Sequence, residues 1–255
     1  MAEQQITRRI RSQKRESSIL TSARGLVREH GFLGMRITAV AKASGVSVGT
    51  LYTHFESRED LILALASRSL RGRLDGFEHV FADDSLGPAE RLVVAVCLDF
   101  LFSVDHPELF AAEQLSATPS VWDGGSARRA LEVSSHHAEI MLHISAAARA
   151  AIDRDEFDPW TDRGAQAAAI DRGIWTLMAG SSHVRATVAR VHGDYESQTE
   201  RVLPGSLQAN IAALFSGYGW RSTQPKADVE RLAEYATRLP TITTNSDGDD
   251  APRTN

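Results

Sequence analysis

A single cysteine, Cys97, in 255 residues excludes an intramolecular disulfide and fits a reducing compartment. Aromatic residues are scarce, at 7% of the chain, and β-branched runs are short while alanine and leucine are plentiful, which tilts the chain toward an all-α fold. Long hydrophobic runs are missing too. The most apolar stretch, Leu92–Phe102, carries Asp99 in its middle and falls well short of the roughly 20 residues a bilayer span requires. Met1–Ile10 is polar and holds no apolar segment of the kind found in secretory signals, so the expectation is a soluble cytoplasmic protein with no membrane partner. What is there is enough for a core: 42% hydrophobic content over this length supports one large domain, or a small one and a medium one.

The net charge of −5 is unevenly spread. Residues 1–60 hold ten Lys and Arg against six acids, so a basic end sits on an acidic body. Such an end suits contact with phosphates, although a solvated basic arm has the same composition.

Apolar periodicity and turn residues divide the chain as follows. Residues 1–14 read as a flexible basic arm. Residues 15–60 read as a small helical domain. Leu20, Ala23 and Val27 line one face of its first helix, which Gly31 ends. A short helix from Ile37 to Ser44 follows, then the turn Gly45-Val46-Ser47, then a helix from Val48 to Phe55 with Ser47 as its N-cap. Ser57 caps a fourth helix toward Val80, with Asp60 in the place of the usual Glu or Gln of a capping box. Residues 61–240 read as a larger helical body, with helices at 89–104, 108–117, 126–151, 162–191, 205–217 and 226–238, broken by Pro107, Pro119, Gly124-Gly125, Pro159, Pro204 and Pro225. Residues 241–255 read as a disordered tail.

Ile37–Phe55 has the layout of a helix-turn-helix. Gly45 suits a left-handed backbone at the turn, Val46 plugs the angle between the helices, and Ala41 is small where they approach. Leu51 and Phe55, four apart, lie on the buried face of the second helix, leaving Val48, Gly49, Tyr52 and Thr53 to look outward. An outward helix of this size fits a major groove, its first residues nearest the base edges.

The stretch GVSVGTLYTHFESREDL, Gly45–Leu61, together with GFLGMRITAVAKAS, Gly31–Ser44, resembles the signature of the TetR/AcrR family of repressors. The resemblance covers about the first sixty residues; beyond residue 65 it rests on length and helix count. It implies an all-α protein with an N-terminal three-helix helix-turn-helix DNA-binding domain and a larger C-terminal helical ligand-binding and dimerisation domain. It also implies double-stranded operator DNA as partner, a homodimer, a small-molecule effector of unknown identity, and no cofactor, metal or enzymatic activity. By resemblance, Thr50 contacts phosphate or base, Tyr52 and His54 reach phosphates, and Arg58 stands where relatives carry lysine. Met35 and Arg36 depart from a Thr pair that caps the second helix in many relatives. The cap is therefore open, and Arg36 is an alternative phosphate contact. The candidate DNA-binding set is Arg36, Thr38, Ser47, Val48, Gly49, Thr50, Tyr52, Thr53, His54 and Arg58, with Val48 and Thr53 setting sequence preference. The arm, Arg8, Arg9, Arg11, Lys14 and Arg15, either follows a minor groove or is disordered and raises non-specific affinity.

In the body, the resemblance points to residues 162–191 and 205–217 as the pairing surface. There Ala167, Ala168, Ala169, Gly173, Ala179, Gly180, Ala212 and Ala213 allow close helix approach or belong to an ordinary core. Candidate effector-binding residues are Phe100, Phe102, His106, Phe110, Trp122, His137, Met141, Trp175 and Met178, an apolar set with a few polar groups. His136, His137 and His143 lack the partners and spacing of a zinc site. Asp153, Asp155, Glu156 and Asp158 lack the glycine and terminal glutamate of a calcium loop. An enzyme using these histidines would also lack a nucleophile elbow or a phosphate-cradling loop, and a non-specific architectural DNA binder would leave the acidic body without a role.

Overall fold

Proline and glycine set most of the helix boundaries in the computed structural model, which describes residues 2–192 and 202–241. Eleven helices are found among them: α1 (Ala2–Gly34), α2 (Ile37–Ala43), α3 (Val48–Tyr52), α4 (Arg58–Phe81), α5 (Pro88–Asp105), α6 (Pro107–Ser116), α7 (Pro119–Gly124), α8 (Ala127–Asp153), α9 (Arg163–His192), α10 (Gly205–Gly217) and α11 (Pro225–Arg238). Proline opens α5, α7 and α11, where its missing N–H would have had no intrahelical partner anyway. No described helix is long and apolar enough to cross a membrane.

Three expectations need correcting. Residues 2–14 are not an irregular arm; they are the first turns of α1. The segment holds neither glycine nor proline and is rich in Gln, Arg, Glu and Lys, all good helix formers, and the helix runs on through Gly25 to Gly31. Gly31, at φ 68°, ψ 173°, is where the helical conformation breaks. Second, α7 lies where the sequence pattern predicts only punctuation: Pro119 starts a short helix instead of merely ending one. Third, α3 stops at Tyr52 with Thr53 as its C-cap, and the amides of His54 and Phe55 both turn back to the Leu51 carbonyl at 2.9 and 3.0 Å. The segment expected to be a disordered tail lies, from residue 242, outside the described residues.

The described residues form two compact units. The first comprises residues 2–72 and 107–136, the second residues 73–106, 137–192 and 202–241. The sequence pattern predicts a single cut after residue 60; the first unit instead extends along α4 and takes in α6, α7 and the first turns of α8. Its core gathers Ile19, Leu20, Ala23 and Val27 of α1, Val40 and Ala41 of α2, Leu51, Phe55, and Leu61–Leu65 of α4. In the second unit, α5 is buried on all faces from Leu92 to Phe102 and packs against α9 and α11. α11 shows one apolar stripe, Val229, Leu232, Ala233 and Ala236, at helical spacing. Phe157 and Trp220 pair as an isolated bridge, with Asp158 N donating to Gly219 O and Arg221 N to Glu156 O, both at 2.8 Å.

Candidate nucleic-acid interface

The candidate interface lies in the first unit and starts from the turn between α2 and α3. Gly45 sits at φ +68°, and a Cβ placed there would meet no atom within 4 Å. The constraint is therefore backbone strain alone. Ser44 Oγ and Ser44 N both bond to Val40 O, at 2.7 and 2.9 Å, and Val46 N bonds to Ala41 O at 3.0 Å, which closes the end of α2 and aims the chain into α3. Gly45→Ala is expected to destabilise the protein by about 1–2 kcal/mol. Urea denaturation checks this, and an unchanged midpoint would mean the turn relaxes to another geometry.

Ser47 caps α3, its Oγ accepting from Thr50 N at 3.0 Å and lying 2.9 Å from Thr50 Oγ1. The cap fixes the first turn of a helix only five residues long. The other side of α3 is anchored by Leu51 and by Phe55 just beyond it, both fully buried. That leaves Val48, Gly49, Tyr52 and Thr53 exposed, Val48 at 38% and Tyr52 at 49%. Thr53 Oγ1 donates to Thr50 O at 2.7 Å.

The remaining candidates divide. Arg36 and Thr38 are exposed at the start of α2. Arg36 is the N-cap there and makes no side-chain capping bond; Met35 beside it is buried in the core. Thr50 is half-buried beneath the cap. His54 and Arg58 are engaged within the protein. His54 Nδ1 lies 3.9 Å from Glu16, and the Arg58 guanidinium donates to the Phe32 carbonyl.

Sequence reading missed the polar frame that holds these elements. Asp60, 1% exposed, accepts from Glu56 N at 3.2 Å and from Ser126 N and Oγ at 2.9 and 2.6 Å. Ser57 Oγ caps α4 through Asp60 N at 2.9 Å and donates to Gly124 O at 2.7 Å. Arg129 of α8 pairs with Glu16 of α1 and Glu132, and its guanidinium lies 5.3 Å from the Phe55 ring centre. Burial works against the charge on Arg129, but Glu16 and Glu132 outweigh it and raise its pKa. Glu108 of α6 holds Arg24 and Arg28 of α1. Burial disfavours its charge as well, and those two guanidiniums overcome it and leave the carboxyl below its ordinary value.

The effector candidates are not one cluster. Phe110 and Trp122 belong to the first unit, Phe110 buried and Trp122 exposed; the other seven belong to the second. There Phe102 packs edge-on to His106 at 4.7 Å and His137 against Trp175 at 4.5 Å. Burial, then the charge of Arg73, lowers the pKa of His137. Met178 is buried and Met141 half-buried. A groove of ≈ 780 Å³ runs between α9 and α10. Of the nine candidates it is lined by Phe100 alone, with Arg172, Leu177, Val184, Leu207 and Tyr218 among its walls.

His136 and His143 have partners of their own, Ser67 Oγ at 3.2 Å and the stacked Phe81 ring at 5.6 Å. In the acidic run, Asp153 and Asp155 face Arg163, Asp158 faces Arg221, and Glu156 accepts from Ala89 N.

A glycine-turned pair of short helices, the second capped and exposed on one face, has the layout of a helix-turn-helix. Residues 19–65 match the family model of the bacterial regulatory proteins of the tetR family. An uncharacterised HTH-type transcriptional regulator of Mycobacterium tuberculosis is 37% identical over 93 residues, which are 36% of this chain and 46% of the relative. The chain thus spans about half the length of the curated relatives it matches. Among solved structures, a TetR/AcrR family regulator of Thermobifida fusca aligns with a TM-score of 0.57 at 19% identity, covering 80% of this chain and 98% of that one. FadR of Bacillus subtilis, in complex with stearoyl-CoA, aligns at 0.52 and 15%, covering 85% and 96%. At these identities the likeness is one of fold.

Proposed function

We propose that the chain is a transcriptional repressor that binds a palindromic operator as a homodimer and is released when a small molecule fills its helical body. The observation that carries this reading is the exposed face of α3, Val48, Gly49, Tyr52 and Thr53, held out by the Ser47 cap within the segment that matches the family. One head offers one such helix, and a two-fold operator needs two heads about one DNA turn apart. Release is a shift in population: the ligand favours a body shape in which α4 carries the paired heads out of half-site spacing. The stearoyl-CoA complex of FadR supports ligand binding by a body of this fold. The test is selection from a random duplex library followed by competition. A palindrome bound roughly 10³-fold or more tightly than random DNA is expected. Uniform binding would leave an architectural DNA binder instead.

For the pairing surface, Ala179, Gly180 and Ala213 are exposed, whereas Ala167 and Ala212 are buried within the chain and Ala168, Ala169 and Gly173 are half-buried. Exposed small residues on α9 and α10 let a partner's helices come close. Gly180 has open space around it, so a side chain there costs the protomer little. Gly180→Arg is therefore expected to give a folded monomer of 27.8 kDa where the parent runs at twice that mass. Analytical ultracentrifugation decides it, and a variant that stays dimeric would move the interface elsewhere.

A further inference from the structure

We propose that the first turns of α1 form a rigid basic rail that grips the DNA backbone beside α3. The proposal rests on the reading of α3 as the DNA-facing helix and adds a second contact to it. Arg8, Arg11 and Arg15 stand three and four residues apart, so they share one helical face. All three, with Arg9 and Lys14, are exposed, and among the described residues none of the five has a carboxylate partner. Glu16, the nearest acid with a described side chain, is taken by Arg129.

The rail adjoins the recognition elements through two clefts. One, of ≈ 730 Å³, is lined by Gln4, Thr7, Arg8, Arg11, Arg15 and His54 among others. The other, of ≈ 560 Å³, is lined by Arg11, Lys14 and Arg15 on one side, and by Ser44–Ser47 and Thr50 on the other. Arg11 and Arg15 line both, so positive charge continues from the helix face to the amide end of α3. From Arg8 to Arg15 the helix advances about 10 Å at 1.5 Å per residue, a length of duplex axis along which each strand presents about three phosphates, one per about 3.4 Å of axis. Long cations on a straight face match a row of phosphates and carry no base code, so the contact positions the protein and does not specify sequence.

The experiment compares three proteins with the parent on two duplexes, the one selected by the parent and a fixed random one, across a salt series. Arg8→Gln/Arg11→Gln removes charge. Gln13→Pro keeps every charge but breaks the helix upstream of the core, which starts at Ile19. Tyr52→Ala marks the recognition helix. The double variant is expected to bind both duplexes about tenfold or more weakly, with a salt slope shallower by about 0.9 for each phosphate no longer neutralised. Gln13→Pro should reproduce most of that weakening. If the double variant keeps the parent's affinity and slope on both duplexes, the rail does not touch DNA and the proposal is overturned. If Gln13→Pro binds like the parent while the double variant falls, the contact is a flexible tether and the rail is equally overturned. Failure of the repressor reading shows separately, as no palindrome enriched by the parent, and the random duplex still reads the rail.

Discussion

Replacing Tyr52 with alanine is expected to weaken binding to the selected palindrome by about 100-fold while the protein stays folded and paired. Tyr52 is half exposed on the outward face of α3 and takes no part in the core that Leu51 and Phe55 build beneath it. Its removal leaves no cavity and no orphaned buried donor, so stability should shift by no more than about 0.5 kcal/mol. In the proposed complex the same ring would meet the DNA surface in both heads. A hydrogen bond from the phenol to a phosphate oxygen contributes on the order of 1.5 kcal/mol. Two copies at about 1.4 kcal/mol each give the hundredfold loss. Mobility-shift titration against the selected duplex measures it, with circular dichroism and sedimentation as controls. Leu51→Ala provides the contrast: it should cost about 2–5 kcal/mol of folding stability because its side chain is wholly buried. A Tyr52→Ala protein that binds as tightly as the parent would mean that the exposed face of α3 does not meet DNA.

The helix-turn-helix was legible because its determinants are local. Gly45, the Ser47 cap and the Leu51–Phe55 spacing all act within a few residues of one another, and each can be read from residue type and period. The basic N-terminal segment misleads for a local reason as well: its charge suggests disorder, although its residues favour helix, and Gly25, the one glycine before Gly31, stays helical. The frame around the head was illegible for the opposite reason. Ser126 meets Asp60 across 66 positions and Arg129 meets Glu16 across 113, and nothing in the sequence marks either as a partner. The effector set is scattered for a chemical reason. Aromatic and methionine side chains are the material of both cores and pockets, and here Phe102 and Met178 went to the core. The groove between α9 and α10 is walled largely by small, polar and cationic residues that pattern reading assigns to surface or helix contact.

The second large effect is expected at Arg73 and Asp99, in the second unit. Asp99 is the one charge inside the apolar run of α5, and its side chain is 3% exposed; Arg73, on α4, is 5% exposed and pairs with it. Burial raises the pKa of the Asp99 carboxyl and the adjacent guanidinium offsets only part of that rise, so the carboxylate's charge depends on Arg73. Asp99→Ala removes this carboxylate from beside a guanidinium only 5% exposed, which should cost about 3–5 kcal/mol. Against a typical folding stability of about 5–15 kcal/mol, that is enough to unfold a large fraction of the protein at physiological temperature. Replacing both, Arg73→Met with Asp99→Leu, removes two desolvation penalties at once and should return stability to the parent's value or above it. Urea denaturation of the parent, Asp99→Ala and the double variant gives the cycle. A cost below about 1 kcal/mol for Asp99→Ala would mean that water reaches the pair as it does a surface bridge. A double variant as unstable as the single one would mean that the pair sets the geometry between α4 and α5 and does more than neutralise charge. In that second case the same substitution should also alter effector release, because α4 is the helix that carries the heads in the proposed mechanism.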